Sequence, residues 1–269
     1  MNRKDKFNAI KKIVCLIAVI LFFSTITLST YDDSLTYLLQ DESVALTVPQ
    51  DEEPVIEVVQ GRVVCIDAGH QGRADMSKEP VGPGAKKKKA KVDGGAMGKK
   101  TGLTEYQLNL DIALKLQTEL EARGYTVIMT RTSNDVNLSN SQRAAIANEA
   151  KADAFIRIHA DGSDSKSVNG ATALCQTSEN PYANNYDKSR LLADSVINSV
   201  STTAGCKNRG VIETDDMTGI NWCTVPNIVI EVGYLSNPTE ESKLNTDDYQ
   251  NLIAKGIANG IDEYFGAVK

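Results

Sequence analysis

The sequence predicts an α/β domain built on a single, mostly parallel, twisted sheet with helices on both faces. Two patterns carry that expectation. Short β-branched runs such as Val63-Val64-Cys65-Ile66 read as strands buried on both sides, and segments with apolar residues at helical spacing alternate with them. The 269 residues, 41% of them hydrophobic, suffice for one sizeable core plus an appendage. A formal net charge of −6 argues against a nucleic-acid partner, whose affinity would come mainly from Lys and Arg on phosphates.

Three regions follow in order. Residues 1–30 read as a signal peptide or membrane anchor, with Lys4, Lys6, Lys11 and Lys12 ahead of an apolar stretch over 13–23. That stretch is shorter than the ~20 residues of a comfortable membrane span. No clean small-x-small cleavage site follows, so secretion and anchoring both remain open. Residues 31–60 are acidic, lack any periodicity and read as a flexible linker. Residues 61–269 hold the α/β pattern.

Within that domain, residues 63–66 form the first strand. Residues 72–101, rich in glycine and holding a lysine run from Lys86 to Lys89, are expected to be an exposed loop, its lysines a solvated tip. Thr104-x-x-Gln107 reads as a capping box ahead of Leu108, Ile112, Leu116 and Leu120, with Gly124 as the stop. A strand is expected over 125–130. Ser139-x-x-Gln142 caps a helix through Glu149, and a strand follows over 154–158. Further strands are expected over 170–175 and 228–232, and further helices over 188–201 and 249–265.

Ligands of open α/β sheets bind beyond the carboxyl ends of the strands. The chain's only two histidines, His70 and His159, follow two such strands, and Glu231 lies near the end of a third. Glu105 begins a helix, whose N-terminus normally faces the same edge. Two imidazoles and one carboxylate are a sufficient protein set for catalytic Zn²⁺ with a water in the fourth position, and a second carboxylate can then move protons. Taken singly, each residue has a plainer role. A strand-end histidine is more often structural, and Glu105 would complement a helix dipole. Glu231 is harder to dismiss, because an ionisable group between Ile230 and Val232 costs desolvation unless it has a partner or a task. Local zinc motifs such as His-Glu-x-x-His are absent. Cys65, Cys175, Cys206 and Cys223 cannot be paired from sequence. A cysteine–histidine hydrolase using Cys65 is disfavoured, since that side chain should point into the sheet.

Four ordered segments together resemble the zinc-dependent N-acetylmuramoyl-L-alanine amidases of the amidase-3 family. They are Val64-Cys65-Ile66-Asp67-Ala68-Gly69-His70-Gln71-Gly72, then Gly102-Leu103-Thr104-Glu105 with Asn109. The third is Arg143-Ala144-x-x-Ala147-Asn148 followed by Ile158-His159-Ala160-Asp161, and the last Val225-Pro226-Asn227-Ile228-Val229-Ile230-Glu231-Val232-Gly233-Tyr234-Leu235-Ser236-Asn237. The resemblance runs from about Arg62 to the C-terminus. It implies one Zn²⁺ held by His70, Glu105 and His159, with Glu231 as general base and acid. The implied reaction is hydrolysis of the amide joining muramic acid's lactyl group to L-alanine in peptidoglycan. Arg157 stands where members usually carry a small residue, and Asp161 replaces a common asparagine; both flank His159. The resemblance also implies recruitment by a membrane- or wall-associated activator, as in sporulation, where short single-domain members act. Two alternatives stand beside it. One is a zinc carboxypeptidase with Arg209 anchoring the terminal carboxylate; the other is a non-catalytic wall-binding protein that kept the fold.

Overall fold

The computed structural model describes residues 61–268. The expected signal segment at 1–30 and linker at 31–60 lie outside the described residues. In chain order the elements are β1 (Val63–Ala68), β2 (Asp75–Pro80), β3 (Lys88–Val92), α1 (Glu105–Ala122), β4 (Thr126–Met129) and α2 (Asn140–Glu149). Then come β5 (Ala154–Asp161), β6 (Ala171–Cys175), α3 (Tyr186–Ala204), β7 (Asn208–Glu213), α4 (Thr218–Asn221), β8 (Asn227–Tyr234), α5 (Pro238–Leu244) and α6 (Asp247–Ala267).

Six strands form one sheet in the order β4-β1-β5-β8-β6-β7. The first four run parallel, β6 runs antiparallel to β8, and β7 is parallel to β6. The sheet is therefore mixed, its parallel half carrying the expected α/β pattern. Strand alternation separates two cores. Ile66, Ile156, Ile158, Ile228 and Ile230 pack with Leu108, Ile112 and Leu116 of α1 and with buried residues of α3 and α6. Cys65 and Phe155 point to the opposite face, against Ala144 and Ala147 of α2 and against Cys223. The chain leaves β1 for β4 on one side through α1, and returns past β1 to β5 through α2 on the other face. The β1–β5 boundary is thus a topological switch point, where such sheets open a crevice at the carboxyl edge.

Local chemistry explains most boundaries. Ser139 and Gln142 form the expected capping box reciprocally. Thr104 does not cap α1 with its side chain. Gln107 is instead used by Asp111 and Asn134, and the start of α1 is tied through Glu105, whose backbone N–H donates to the Ala96 carbonyl. Strand β5 runs three residues past the expected end at Ile158, so His159 lies within it.

The expected loop at 72–101 contains an antiparallel hairpin of β2 and β3. It is held against the body by Trp222 Nε1 donating to the Pro80 carbonyl, Asn221 Nδ2 to that of Val81 and Asn140 Nδ2 to that of Lys91. The lysine run is not a free tip: Lys87 and Lys89 both pair with Asp216. The hairpin's strands are mostly polar, so no apolar alternation announces them.

Helices α3 and α6 approach closely enough to need glycine. A Cβ on Gly260 would stand 2.5 Å from the Val196 Cα, whereas one on Gly266, in the last turn of α6, would meet nothing within 4 Å. Gly260→Ala is therefore expected to lower the urea midpoint. Its clash with backbone costs about 1–3 kcal/mol, which outweighs the ~1 kcal/mol helix-propensity gain. Gly266→Ala should raise the midpoint, because only the propensity gain applies.

Candidate metal centre

The site is built on the exit of β1. His70 takes a left-handed backbone conformation, φ +59°, which costs a non-glycine residue roughly 1–2 kcal/mol. Two buried arginines hold the turn. Arg131 donates from Nε to the Ala68 carbonyl (2.7 Å) and from Nη2 to that of Gly69 (3.0 Å). Arg143 donates from Nη1 to the Ala68 carbonyl (2.9 Å) and from Nη2 to that of His70 (2.8 Å). Hydrogen bonds from charged donors are worth roughly 1.5–3 kcal/mol each, enough to offset the strain. Arg143 is itself fixed by fully buried Asp67, which also accepts from Thr130 Oγ1 and Arg157 Nε. At Gly69 any Cβ would collide with the His159 ring, so only glycine lets the turn cross over that imidazole.

The three expected ligands meet. His70 follows β1, Glu105 opens α1, and His159 lies on β5. One ligand atom from each lies within 4.8 Å of the others. Glu105 Oε1 is 3.0 Å from both His70 Nε2 and His159 Nδ1. Its other oxygen accepts from the Ala96 N–H at 2.6 Å, and Asn109 Nδ2 approaches Oε1 at 3.4 Å. His70 Nδ1 is backed by Asp93, at 3.1 Å from its carbonyl and 3.0 Å from Oδ1. Glu231 is aligned with His159 across the β5–β8 pairing, so both side chains share the face opposite the isoleucine core. Its Oε2 is buried with no hydrogen-bond partner among the described residues.

These surroundings set the charges. Burial alone would raise the Glu105 carboxyl, but hydrogen bonds and charge from His159 and His70 hold it well below the usual carboxylate range. His70 is opposed by burial, yet Asp93 and Glu105 push it up to about 10. His159 is lowered, first by burial, against the hydrogen bond it makes to Glu105. Burial, then the neighbouring charges of Glu105 and Asp161, push Glu231 well above the ordinary range. Two imidazoles and a carboxylate converging on one point, beside a carboxyl whose pKa is raised, form a donor set that could hold a metal ion.

The four residues line one cavity of about 470 Å³, together with Asp93, Arg157, Asp161, Gly219 and hairpin residues Met76 and Lys89. Sequence reasoning missed Asp93 and Arg131. Asp93 sits in the glycine-rich insertion, where no pattern marks it. Arg131 follows β4 at the same carboxyl edge, and the strand-end logic applied to His70 would have found it. Arg209 is not part of the cavity: it lies on edge strand β7 with its guanidinium 5.4 Å from the centre of the Tyr234 ring. Cys65 is fully buried in the core, where burial raises its thiol far above the reactive range.

A family model described as N-acetylmuramoyl-L-alanine amidase, Amidase_3, matches residues 64–263. The chain is 29% identical over 211 residues to the uncharacterized protein YqiI of Bacillus subtilis strain 168, covering 78% of this chain and 87% of that one. It is 34% identical over 175 residues to the N-acetylmuramoyl-L-alanine amidase LytC of the same strain. That match covers 64% of this chain and 33% of LytC, about a third of its length. The solved catalytic domain of CwlV, an N-acetylmuramoyl-L-alanine amidase from Bacillus (Paenibacillus) polymyxa var. colistinus, superposes with a TM-score of 0.62. It is 32% identical, over 76% of this chain and 98% of that one.

The charge state of Glu231 has a measurable consequence. Its folded pKa lies above the ordinary value of 4.5, so unfolding releases a proton more readily as pH rises past that value. Stability contributed by the protonated form is present below pH ~4.5 and lost as pH climbs towards the folded pKa. Metal-free Glu231→Gln is therefore expected to melt higher than wild type at pH 8, with the gap narrowing at pH 4.5. Calorimetric melts of the metal-free proteins at both values check this.

Proposed function

This chain belongs to the Amidase_3 family of N-acetylmuramoyl-L-alanine amidases, and from that premise we propose a one-zinc mechanism with Glu231 as general base and acid. The reaction is hydrolysis of the peptidoglycan amide between the lactyl group of muramic acid and L-alanine. One observation carries the mechanism: three donor atoms of His70, Glu105 and His159 converge within 4.8 Å in the cavity that also holds Glu231, whose buried Oε2 has no partner among the described residues.

The donor set fits zinc, for which two imidazoles and one carboxylate are a sufficient set of protein ligands; His70, Glu105 and His159 would hold it. Zinc held by these residues would supply Lewis acidity and make water acidic enough to attack near neutral pH. The remaining work belongs to the chain. Asp93 holds the His70 ring through Nδ1, leaving Nε2 directed at Glu105. Glu105 is pinned by the Ala96 N–H, so its oxygen shared with both histidines does not swing away. Glu231 in its ionised form takes a proton from the attacking water and then delivers it to the departing amine of L-alanine. A carboxyl pushed upward by burial holds a proton more readily than an ordinary glutamate, which suits its delivery to the departing amine.

The proposal extends to place and partners. The basic-then-apolar run at residues 4–23 supports export, by secretion or by an N-terminal anchor, to where peptidoglycan lies. An activator associated with membrane or wall would recruit the domain there.

Glu231→Gln is expected to cut release of stem peptide from purified wall by roughly 10²- to 10⁴-fold, the usual worth of a general acid–base group. Elemental analysis of that variant should still find one zinc per chain. Wall hydrolysis surviving the change would remove Glu231 from its role. His159→Ala should lose zinc and activity together, and chelation of the wild type should abolish hydrolysis until zinc is restored.

A further inference from the structure

We propose that Arg157 is a substrate-binding residue whose guanidinium anchors the carboxylate of the stem-peptide residue following L-alanine. The enzyme then selects stems in which that carboxyl is free over stems in which it is amidated. This rests on the amidase reaction and names part of its substrate.

Arg157 lies on β5 two residues before His159, so both side chains leave the same face of the sheet, roughly 7 Å apart along the strand. Both line the same cavity as His70, Glu105 and Glu231. Arg157 is only 2% exposed, and two of its nitrogens are fixed. Nε donates to Asp67 Oδ2 at 3.0 Å, and Nη2 donates to Asn140 Oδ1 at 2.7 Å. Those bonds set the plane of the guanidinium and leave Nη1 without an acceptor among the described residues. Gly219 stands against that edge, and a Cβ there would collide with Nη1 and Cζ. A nearly buried cationic donor left unpaired is costly, so the edge facing the cavity calls for an acceptor from the ligand.

The charge of that acceptor follows from the neighbours. Asp67 is shared between Arg157 and Arg143, while Arg131 close by donates only to backbone carbonyls and the Asn134 amide. One carboxylate thus faces three guanidinia, and the cluster is net cationic. Lys89, also on the cavity wall, is taken up by Asp216. Of the three guanidinia only that of Arg157 lines the cavity, so it is through Arg157 that the cluster's surplus charge meets a ligand, and an anionic group suits it.

Reach selects which anion. From the scissile carbonyl carbon to the α-carboxyl carbon of the second stem residue is two residues of chain, roughly 7 Å when extended. That equals the separation of His159 and Arg157 along the strand. A γ-linked glutamate in that position offers its α-carboxyl there, as carboxylate or as carboxamide. Only the carboxylate can form the stronger charge-assisted pair.

The test compares two muramoyl dipeptides, N-acetylmuramoyl-L-alanyl-γ-glutamate and its isoglutamine amide, with zinc-loaded wild type, Arg157→Gln and Arg157→Lys. Wild type should favour the free acid by roughly ten- to a hundredfold in kcat/KM, chiefly through KM. Arg157→Gln should bring the ratio close to one at equal zinc content, and Arg157→Lys should keep part of it. Titration calorimetry of the two free dipeptides against metal-free wild type and variants should show the same selectivity without turnover. An unselective wild type, or an Arg157→Gln variant with the wild-type ratio, overturns the proposal. Should the variants not fold, the wild-type ratio and its dipeptide titration still decide. Failure of the amidase reaction itself looks different: neither muramoyl compound is cleaved, while the titration still reports selectivity.

Discussion

The buried pairing of Asp67 with Arg143 and Arg157 is the constraint on which the site depends. Apolar burial drives the sheet and helices together but is non-directional and cannot aim a carbonyl or fix a left-handed turn. The guanidinia do both. Arg131 and Arg143 occupy the carbonyls of Ala68, Gly69 and His70, and Asp67 holds Arg143 in place to do it. Replacing a buried ion network with apolar side chains often leaves stability unchanged or improves it. Its worth here is positional: it links the ends of β1 and β4 to α2 and β5 at the point where His70 must turn towards Glu105. The uncompensated charge shows in Arg131, which burial and the neighbouring Arg143 pull down to about 10.

From that anchor the remaining geometry needs little invention. Parallel strands place aligned residues on one face, so the pairing of His159 with Glu231 follows from backbone register. The switch of chain direction between β1 and β5 opens the crevice, and α1 brings Glu105 into it from its first turn. The hairpin of β2 and β3 forms one wall and carries the chain to Asp93. That makes the insertion part of the site: it encloses the cavity and braces the imidazole that the β1 turn presents.

Much of this was legible because the same physics writes both sequence and site. Strands buried on both faces read as unbroken β-branched runs. With only two histidines in the chain, the rule that ligands gather at carboxyl edges leaves few combinations, and His70, Glu105, His159 and Glu231 could be named together. What escaped is equally physical. The hairpin strands carry lysine and acidic residues, and they are held by side-chain bonds from Asn140, Asn221 and Trp222, far away in sequence. Thr104-x-x-Gln107 has the letters of a capping box, but tertiary partners claim Gln107. The reversal of β6 against β8 depends on how 162–170 and α3 route the chain, and strand composition says nothing about direction. Arg209 could be suggested as a carboxylate anchor only because sequence does not reveal that β7 lies on the edge of the sheet, away from the cavity.

One cavity also pushes two carboxyls in opposite directions. Glu105 and Glu231 are both withdrawn from water, and burial opposes ionisation in each. Glu105 accepts from two imidazoles and from the backbone N–H groups of Ala96 and Ala160, so its ionised form is favoured despite the burial. Glu231 Oε2 accepts from nothing among the described residues, and its nearest charged influences include two other carboxylates, Glu105 and Asp161. The difference is therefore one of hydrogen-bond supply rather than depth. It agrees with the proposed division of roles, in which the well-supplied carboxylate holds a cation and the starved one exchanges protons. Arginine placement preserves the division. Arg131 and Arg143 spend their donors on the β1 turn and on Asp67, and Arg157 is fixed by Asp67 and Asn140. Glu231 is left out of these bonds, as the proposed proton transfer requires.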